Sequence, residues 1–175
     1  MKRCGKNLSI GLLGAIAVAG LVPAIAQGAG SSQIGSFKAW SAHLLVEQKD
    51  KVCYLHAVPE KSSGDYDKRG DTYLQVTHRT SSKVKNEVSV TAGYVYKKDS
   101  SVTLAIDGRK FDLFTNADTA WAEDKKTDNA LVAAMRAGRE MVVKGTSSRG
   151  TLTTDYYSLS GFTAAHSAIN KACGM

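Results

Sequence analysis

From Phe37 to Thr115 the chain is built of short apolar runs separated by charged or Gly/Ser/Asp-containing turns: FKAWSAHLLV, VCYLHAV, TYLQVTHR, EVSVTAGYVY, SVTLAI and KFDLF. Runs of this length, rich in Val, Tyr, Thr and Leu and recurring at near-regular spacing, predict antiparallel strands. EVSVTAGYVY alternates, with Val88, Val90, Ala92 and Tyr94 on one side and Glu87, Ser89 and Thr91 on the other, so one face is dry and the other wet. Asp107-Gly108 between two apolar runs is a strong hairpin signal.

The period changes at Thr127. TDNALVAAMRAG offers Thr127 or Asp128 as an N-cap, helix formers through Ala137 and Gly138 as a stop, with Leu131, Ala134 and Met135 toward the core. EMVVKGTSSRGTLTTDYYSL then predicts two strands joined through Ser148-Arg149-Gly150. After Ser160, taken as an N-cap, Phe162, Ala165, His166, Ile169, Ala172 and Cys173 recur at helical spacing, while Thr163, Asn170 and Lys171 point away. The expected fold is mainly β: a single antiparallel, β-sandwich-like domain with one internal helix and a C-terminal helix.

The first residues change the picture. Lys2, Arg3 and Lys6 precede an uncharged apolar run from Leu8 to Val22, followed by small residues in AIAQ. This is the anatomy of a secretory signal peptide, residues 1–26, cleaved after Ala26. Cys4 precedes the apolar run and leaves with it. Residues 27–36, rich in Gly and Ser, read as a flexible leader, and residues 37–175 as the folded domain. Processing leaves 149 of the 175 residues, enough for one domain, and lowers the formal charge from +7 to +4. The lysines are scattered rather than gathered in a stripe, which favours weak peripheral attraction to anionic envelope surfaces over nucleic-acid binding.

Two cysteines survive, Cys53 and Cys173. In an oxidising compartment an even pair defaults to a disulfide, against the alternative of two buried free thiols. Helical spacing turns Cys173 inward, where it could meet a strand carrying Cys53 and close a loop of about 120 residues. No CxxC arrangement suggests redox catalysis.

No GxSxG, HExxH, P-loop or GxGxxG motif occurs after the signal segment. His56 and His78, on expected strands, lack a recognisable ligand spacing, so no metal or cofactor is expected. His166, with Asp155 and the hydroxyls of GTSSRGTLTTDYYSLSG, could be imagined as a nucleophilic triad, but a triad is a matter of geometry rather than proximity in sequence. Trp40, Trp121 and Tyr94, Tyr96, Tyr156 and Tyr157 suit core and cross-strand packing.

The run DTAWAEDKKTDNALVAAMRAGREMVVKGTSSRGTLTTDYYSLSGFTAAHSAINKAC, preceded by FKAW, VCYLHAVPE and NEVSVTAGYVYKKDSSVTLAIDGRKFDLF, resembles the invasion-associated locus B family of exported alphaproteobacterial proteins. GTSSRGT, YSLSGF and the terminal helix with its cysteine are the most specific pieces. The resemblance implies a compact β-sandwich-like domain of the periplasm or outer envelope, without known catalytic activity or cofactor, and a virulence role of the kind the founding members have in host-cell entry. It supplies no active-site residues. The chain lacks the extra cysteine pair that longer members carry near LFTNADTAW, which places it in a shorter subgroup.

The function expected from sequence is therefore that of a non-enzymatic, periplasmic or secreted protein that binds a protein or other envelope component, with Ser148 and Arg149 as speculative contacts. The alternative is a secreted inhibitor of an envelope or host enzyme, presenting the 147–151 hairpin with Arg149 at its tip. A third class, an envelope hydrolase, would require His166 or His56 to converge with a Ser or Thr nucleophile.

Overall fold

The computed structural model describes Met1, residues 30–47 and residues 50–175. The signal segment, Cys4, the cleavage point after Ala26 and the first residues of the leader lie outside the described residues. Thirteen elements follow in order: β1 (Ser31–Phe37), β2 (Trp40–Glu47), β3 (Asp50–Ala57), β4 (Lys61–Gly64), β5 (Tyr73–Arg79), β6 (Val84–Thr91), β7 (Ser101–Ile106), β8 (Arg109–Asn116), β9 (Thr119–Trp121), α1 (Lys125–Ala137), β10 (Glu140–Thr146), β11 (Leu152–Ser158) and α2 (Phe162–Cys173). The strands form one antiparallel sheet in the order β1-β2-β3-β5-β6-β9-β8-β7-β10-β11-β4. The expected mainly β, sandwich-like architecture with two helices is what the chain adopts.

The sheet is open in its hydrogen bonding but curled in space. The three-residue β9 joins its two halves, pairing β6 on one side and β8 on the other. At the far end of the curl, the Trp40 indole N–H in β2 donates to the Ser158 carbonyl in β11 at 3.0 Å, and the Ala39 N–H to the Ser160 carbonyl at 3.3 Å. Strands second and tenth in the order are thus in contact. Inside lies one continuous apolar core that includes Trp40, Leu55, Leu74, Leu104, Leu113, Met141 and Tyr157, closed by Leu131 and Met135 of α1 and Phe162 and Ile169 of α2.

Several boundaries differ from the sequence reading, each for a local reason. Ser31–Ser36 are not leader but most of β1, paired with β2 from Ser31↔Leu45 to Phe37↔Trp40 with a bulge at Ile34. Backbone pairing to a neighbouring edge does not need apolar side chains, which is why a Ser/Gly-rich segment concealed a strand. FKAWSAHLLV is divided by a turn at Lys38-Ala39. EVSVTAGYVY leaves the sheet after Thr91, because Gly93 takes φ +71° and lies against Gly70, whose carbonyl any Cβ on Gly93 would strike. The Asp107-Gly108 hairpin is present, with both residues at positive φ as a type I′ turn requires.

The helix caps also shift. α1 starts a turn earlier than expected because Asp124, not Thr127 or Asp128, is the N-cap, its Oδ1 accepting from the Thr127 N–H at 2.7 Å. Asp128 is instead buried on the β6 side, where its Oδ1 accepts from the Val88 N–H at 2.9 Å. α2 is capped by Gly161 rather than Ser160. Gly161 adopts φ +92° and presses on the Phe37 carbonyl, a spot with no room for a Cβ.

The inward face of α2 carries Phe162, Ala165, His166, Ile169 and Cys173, all buried. Cys173 is joined to Cys53 of β3, with their Cα atoms 6.0 Å apart at a sequence separation of 120. Cross-linking so distant a pair removes conformational freedom from the unfolded chain. We predict that Cys53→Ser and Cys173→Ser each lower stability by about 2–5 kcal/mol, and that the double variant costs little more than either. Urea unfolding of the oxidised protein checks this, and strictly additive losses would contradict a shared bond.

Candidate functional site

A cleft of about 1030 Å³ opens where the β4–β5 connection, the segment after β6 and the β10–β11 hairpin converge; Tyr66, Lys68, Arg69, Tyr94, Val95 and Arg149 are among its lining residues. A second, of about 480 Å³, shares Tyr66, Arg69 and Gly70 with it and extends to His56, Val58 and Tyr73. The two adjoin along the β4–β5 connection, whose Tyr66, Arg69 and Gly70 line both, and together they are called the furrow.

Arg69 holds that furrow in shape. Its Nη1 and Nη2 donate to Oδ1 and Oδ2 of Asp155 at 2.6 and 2.7 Å, and its Nε donates to the Ala92 carbonyl at 2.5 Å. A guanidinium that meets a carboxylate through two parallel bonds is fixed in orientation as well as position. The ion pair is nearly dry, with side-chain exposures of 7% and 3%. Ser62 of β4 donates to the same Asp155 Oδ1 at 2.6 Å, binding the edge strand into the arrangement. Burial works against the charge on Arg69, but the hydrogen bonds and charge of Asp155 outweigh it and raise its pKa.

Aromatic rings flank the pair. The guanidinium carbon lies 5.0 Å from the Tyr94 ring centre and 5.7 Å from that of Tyr66. The Tyr94 hydroxyl is 2.6 Å from Thr153 Oγ1, and burial raises its pKa, so it serves as a neutral partner. Tyr94 reaches this place because the chain turns out of the sheet at Gly93; the Gly70 N–H donates to the Gly93 carbonyl at 2.9 Å, sealing the two segments together. Tyr66, Val95 and Val58 remain exposed along the furrow at 37%, 55% and 59%.

Ser148 and Arg149, singled out from sequence, are exposed in the β10–β11 turn and line the larger cleft. The turn is rigid. The Ser148 N–H donates to the Val95 carbonyl, the Gly150 N–H to the Ser147 carbonyl, both at 2.8 Å, and Gly150 takes φ +89°. Arg69 and Asp155 escaped the sequence reading in this role, since Arg69 falls in a charged loop and Asp155 among hydroxyl residues, 86 positions apart.

The other candidates are dispersed. His56 and His78 occupy neighbouring strands, but His78 is paired in register with Cys53 on the inner face, whereas His56, three residues along from Cys53, faces outward and packs on Tyr73 at 5.1 Å. Among the described residues no three His, Cys, Asp or Glu side chains gather closely enough to hold a metal ion. His166 bonds to Asn86 and Asn170 while Asp155 is taken up by Arg69, so the two do not form a triad.

Residues 40–170 match the model of the family described as invasion associated locus B (IalB) protein. The chain belongs to the IalB family. The match begins at Trp40 and ends at Asn170, and so takes in the whole furrow and most of α2. No curated protein and no solved structure matches the chain.

Removing one partner of a buried ion pair strands the other charge in the interior. We predict that Asp155→Ala destabilises the protein by about 3–5 kcal/mol, whereas Arg149→Ala, at an exposed turn, changes stability by no more than about 0.5 kcal/mol. Chemical denaturation of both variants decides the matter; equal, small losses would show that Arg69 and Asp155 contribute little to the architecture.

Proposed function

We propose that this IalB-family protein is an exported, non-enzymatic envelope protein that works by binding another protein through the furrow bounded by Tyr66, Val58, Val95 and Arg149. The observation that carries this is the gathering of exposed apolar side chains along a furrow whose walls are held by a dry, bidentate ion pair. Exposed aromatic and Arg side chains around a preorganised floor are the composition of protein-binding hot spots. A rigid floor also limits the entropy lost on association.

Export fits the amino-terminal pattern of three basic residues and an apolar run, and the bond between Cys53 and Cys173 suits an oxidising periplasm or exterior. The partner is an envelope component or, in keeping with the family's description, a host surface protein met during invasion. An inhibitor would depend chiefly on Arg149 entering a target's cleft. A binding furrow depends on Tyr66 and Val58 as well.

We predict that Tyr66→Ala and Arg149→Ala each reduce crosslinked capture of the partner from intact cells by tenfold or more, while Phe114→Ala, an exposed aromatic outside the furrow, leaves it unchanged. Capture lost only with Arg149→Ala would favour the inhibitor. Capture indifferent to both furrow variants would remove the furrow from the binding surface.

A further inference from the structure

Under α2, four residues close a ring of hydrogen bonds. The backbone N–H of Asn86 donates to His78 Nδ1 at 3.1 Å, and His78 Nε2 lies 3.1 Å from Asn170 Oδ1. Asn170 Nδ2 lies 3.1 Å from His166 Nδ1, and His166 Nε2 lies 2.9 Å from Asn86 Oδ1. Asn86 Nδ2 completes the set by donating to Asn129 Oδ1 of α1 at 2.8 Å. The ring thus ties α2 to β5, β6 and α1. It exists because of a bulge: Lys85 and Asn86 of β6 stand opposite His78 alone, and Asn86 takes φ +64°, which frees its N–H from the strand ladder.

The backbone donor decides every proton in the ring. A backbone N–H cannot become an acceptor, so His78 Nδ1 must be bare and His78 Nε2 must carry the proton given to Asn170 Oδ1. Asn170 then offers its NH₂ to His166 Nδ1, which is also bare, and His166 Nε2–H donates to Asn86 Oδ1. Both imidazoles are neutral, and a second proton on either meets a donor already bonded to that nitrogen, with only the Thr77 backbone favouring the added proton on His78. Protonating His78 sets its Nδ1–H against the Asn86 N–H. Protonating His166 sets its Nδ1–H against the Asn170 NH₂, and flipping that amide only moves the clash to His78 Nε2–H.

We propose that this ring is an acid-operated latch: uptake of protons by His78 and His166 loosens α2 from the sheet, while the bond between Cys173 and Cys53 keeps the helix attached. The surrounding charges favour release. The two imidazoles are edge to face with centres 5.7 Å apart, so two charges there would repel. Lys85 of β6 and Arg136 of α1 line the same cavity. Of the nearby carboxylates, Asp128 of α1 is committed to the Val88 N–H, and Glu87 of β6 makes no bond to the ring. Lys51 of β3, Arg79 of β5, Glu47 of β2 and Lys171 of α2 are exposed, and His43 of β2 stacks on Tyr54.

The sign follows from where protons bind better. Burial, then His78, Arg136 and Lys85, push His166 down to about 4, and burial lowers His78 as well, against bonds to the Thr77 backbone and Asn170 that raise it. The closed form therefore holds protons more weakly than an open one with ordinary imidazoles near 6.5, and the latch weakens as pH falls below about 6.5 until His166 titrates in place near 4. Asp128, raised to about 6 chiefly by burial, has the opposite sign but stays with α1, so it opposes global unfolding in acid rather than movement of α2.

Hydrogen exchange of the exported, oxidised protein between pH 7.5 and 4.5 tests the latch. After correction for intrinsic exchange, protection of the Ala165–Cys173 amides should fall by tenfold or more, toward about a hundredfold for a two-unit displacement of one imidazole, while β10 and β11 stay protected. The double variant H78Q/H166Q, which keeps a donor and an acceptor at each position but cannot titrate, should lose this dependence. Unchanged α2 protection at pH 4.5 would overturn the proposal, as would the same acid loss in the double variant. Should that variant not fold, nitrogen NMR of the wild-type imidazoles decides: both titrating near 6.5 with α2 still protected would equally overturn it.

Discussion

The indole N–H of Trp40 donating to the carbonyl of Ser158 is the constraint on which most of the structure depends. An eleven-stranded sheet has one face far too apolar to leave in water, and β9, with three residues, is a narrow joint between its halves. Trp40 fastens the second strand to the tenth, and Phe162 of α2 meets the indole edge to face with ring centres 4.9 Å apart. Closing the curl there turns one face into a core and sets β11 opposite the β4–β5 connection. Asp155 can then reach Arg69.

The two buried polar assemblies use that closure differently. Arg69 and Asp155 join segments that share no ladder hydrogen bonds, and their bidentate geometry specifies the shape of the furrow. A buried ion pair adds little net stability compared with a packed apolar pair, so its value lies in fixing how these segments meet. The His–Asn ring is neutral and fully satisfied. It adds no burial of charge, and it orients α2 so that Cys173 lies against β3.

Much of this was legible in the sequence because it follows from period. The alternation of β6, the DG hairpin, the two helices and the inward faces of Leu131, Met135, Phe162, Ile169 and Cys173 all depend on local patterning, which packing then respects. What stayed hidden depends on contacts distant in sequence or on backbone alone. β1 and β4 are polar strands recruited by a neighbour's free edge. Asn170, which helical spacing turns outward, is half-buried, and its side-chain amide bridges both histidines. Arg69 and Asp155 have no local signal at all, because the bulges and glycine turns that bring them together act on the course of the chain rather than on its composition.

A chain of direct contacts runs from the ring to the furrow: His166 stacks on Phe162 with ring centres 5.8 Å apart, Phe162 meets Trp40, and Trp40 bonds to β11, which carries Asp155. Contact alone does not make coupling; an element along the way must have two arrangements. β11 does not offer them. It is paired with β10 over seven residues from Glu140↔Ser158 to Thr146↔Leu152, and with β4 on its other side over four. Movement of α2 can part Phe162 from the Trp40 ring while the Trp40–Ser158 bond and the register of β11 hold Asp155 in place, since a one-residue slip of β11 would send Tyr157 and Asp155 to the wrong face of the sheet. The furrow is therefore buffered from movement of the helix by strand register.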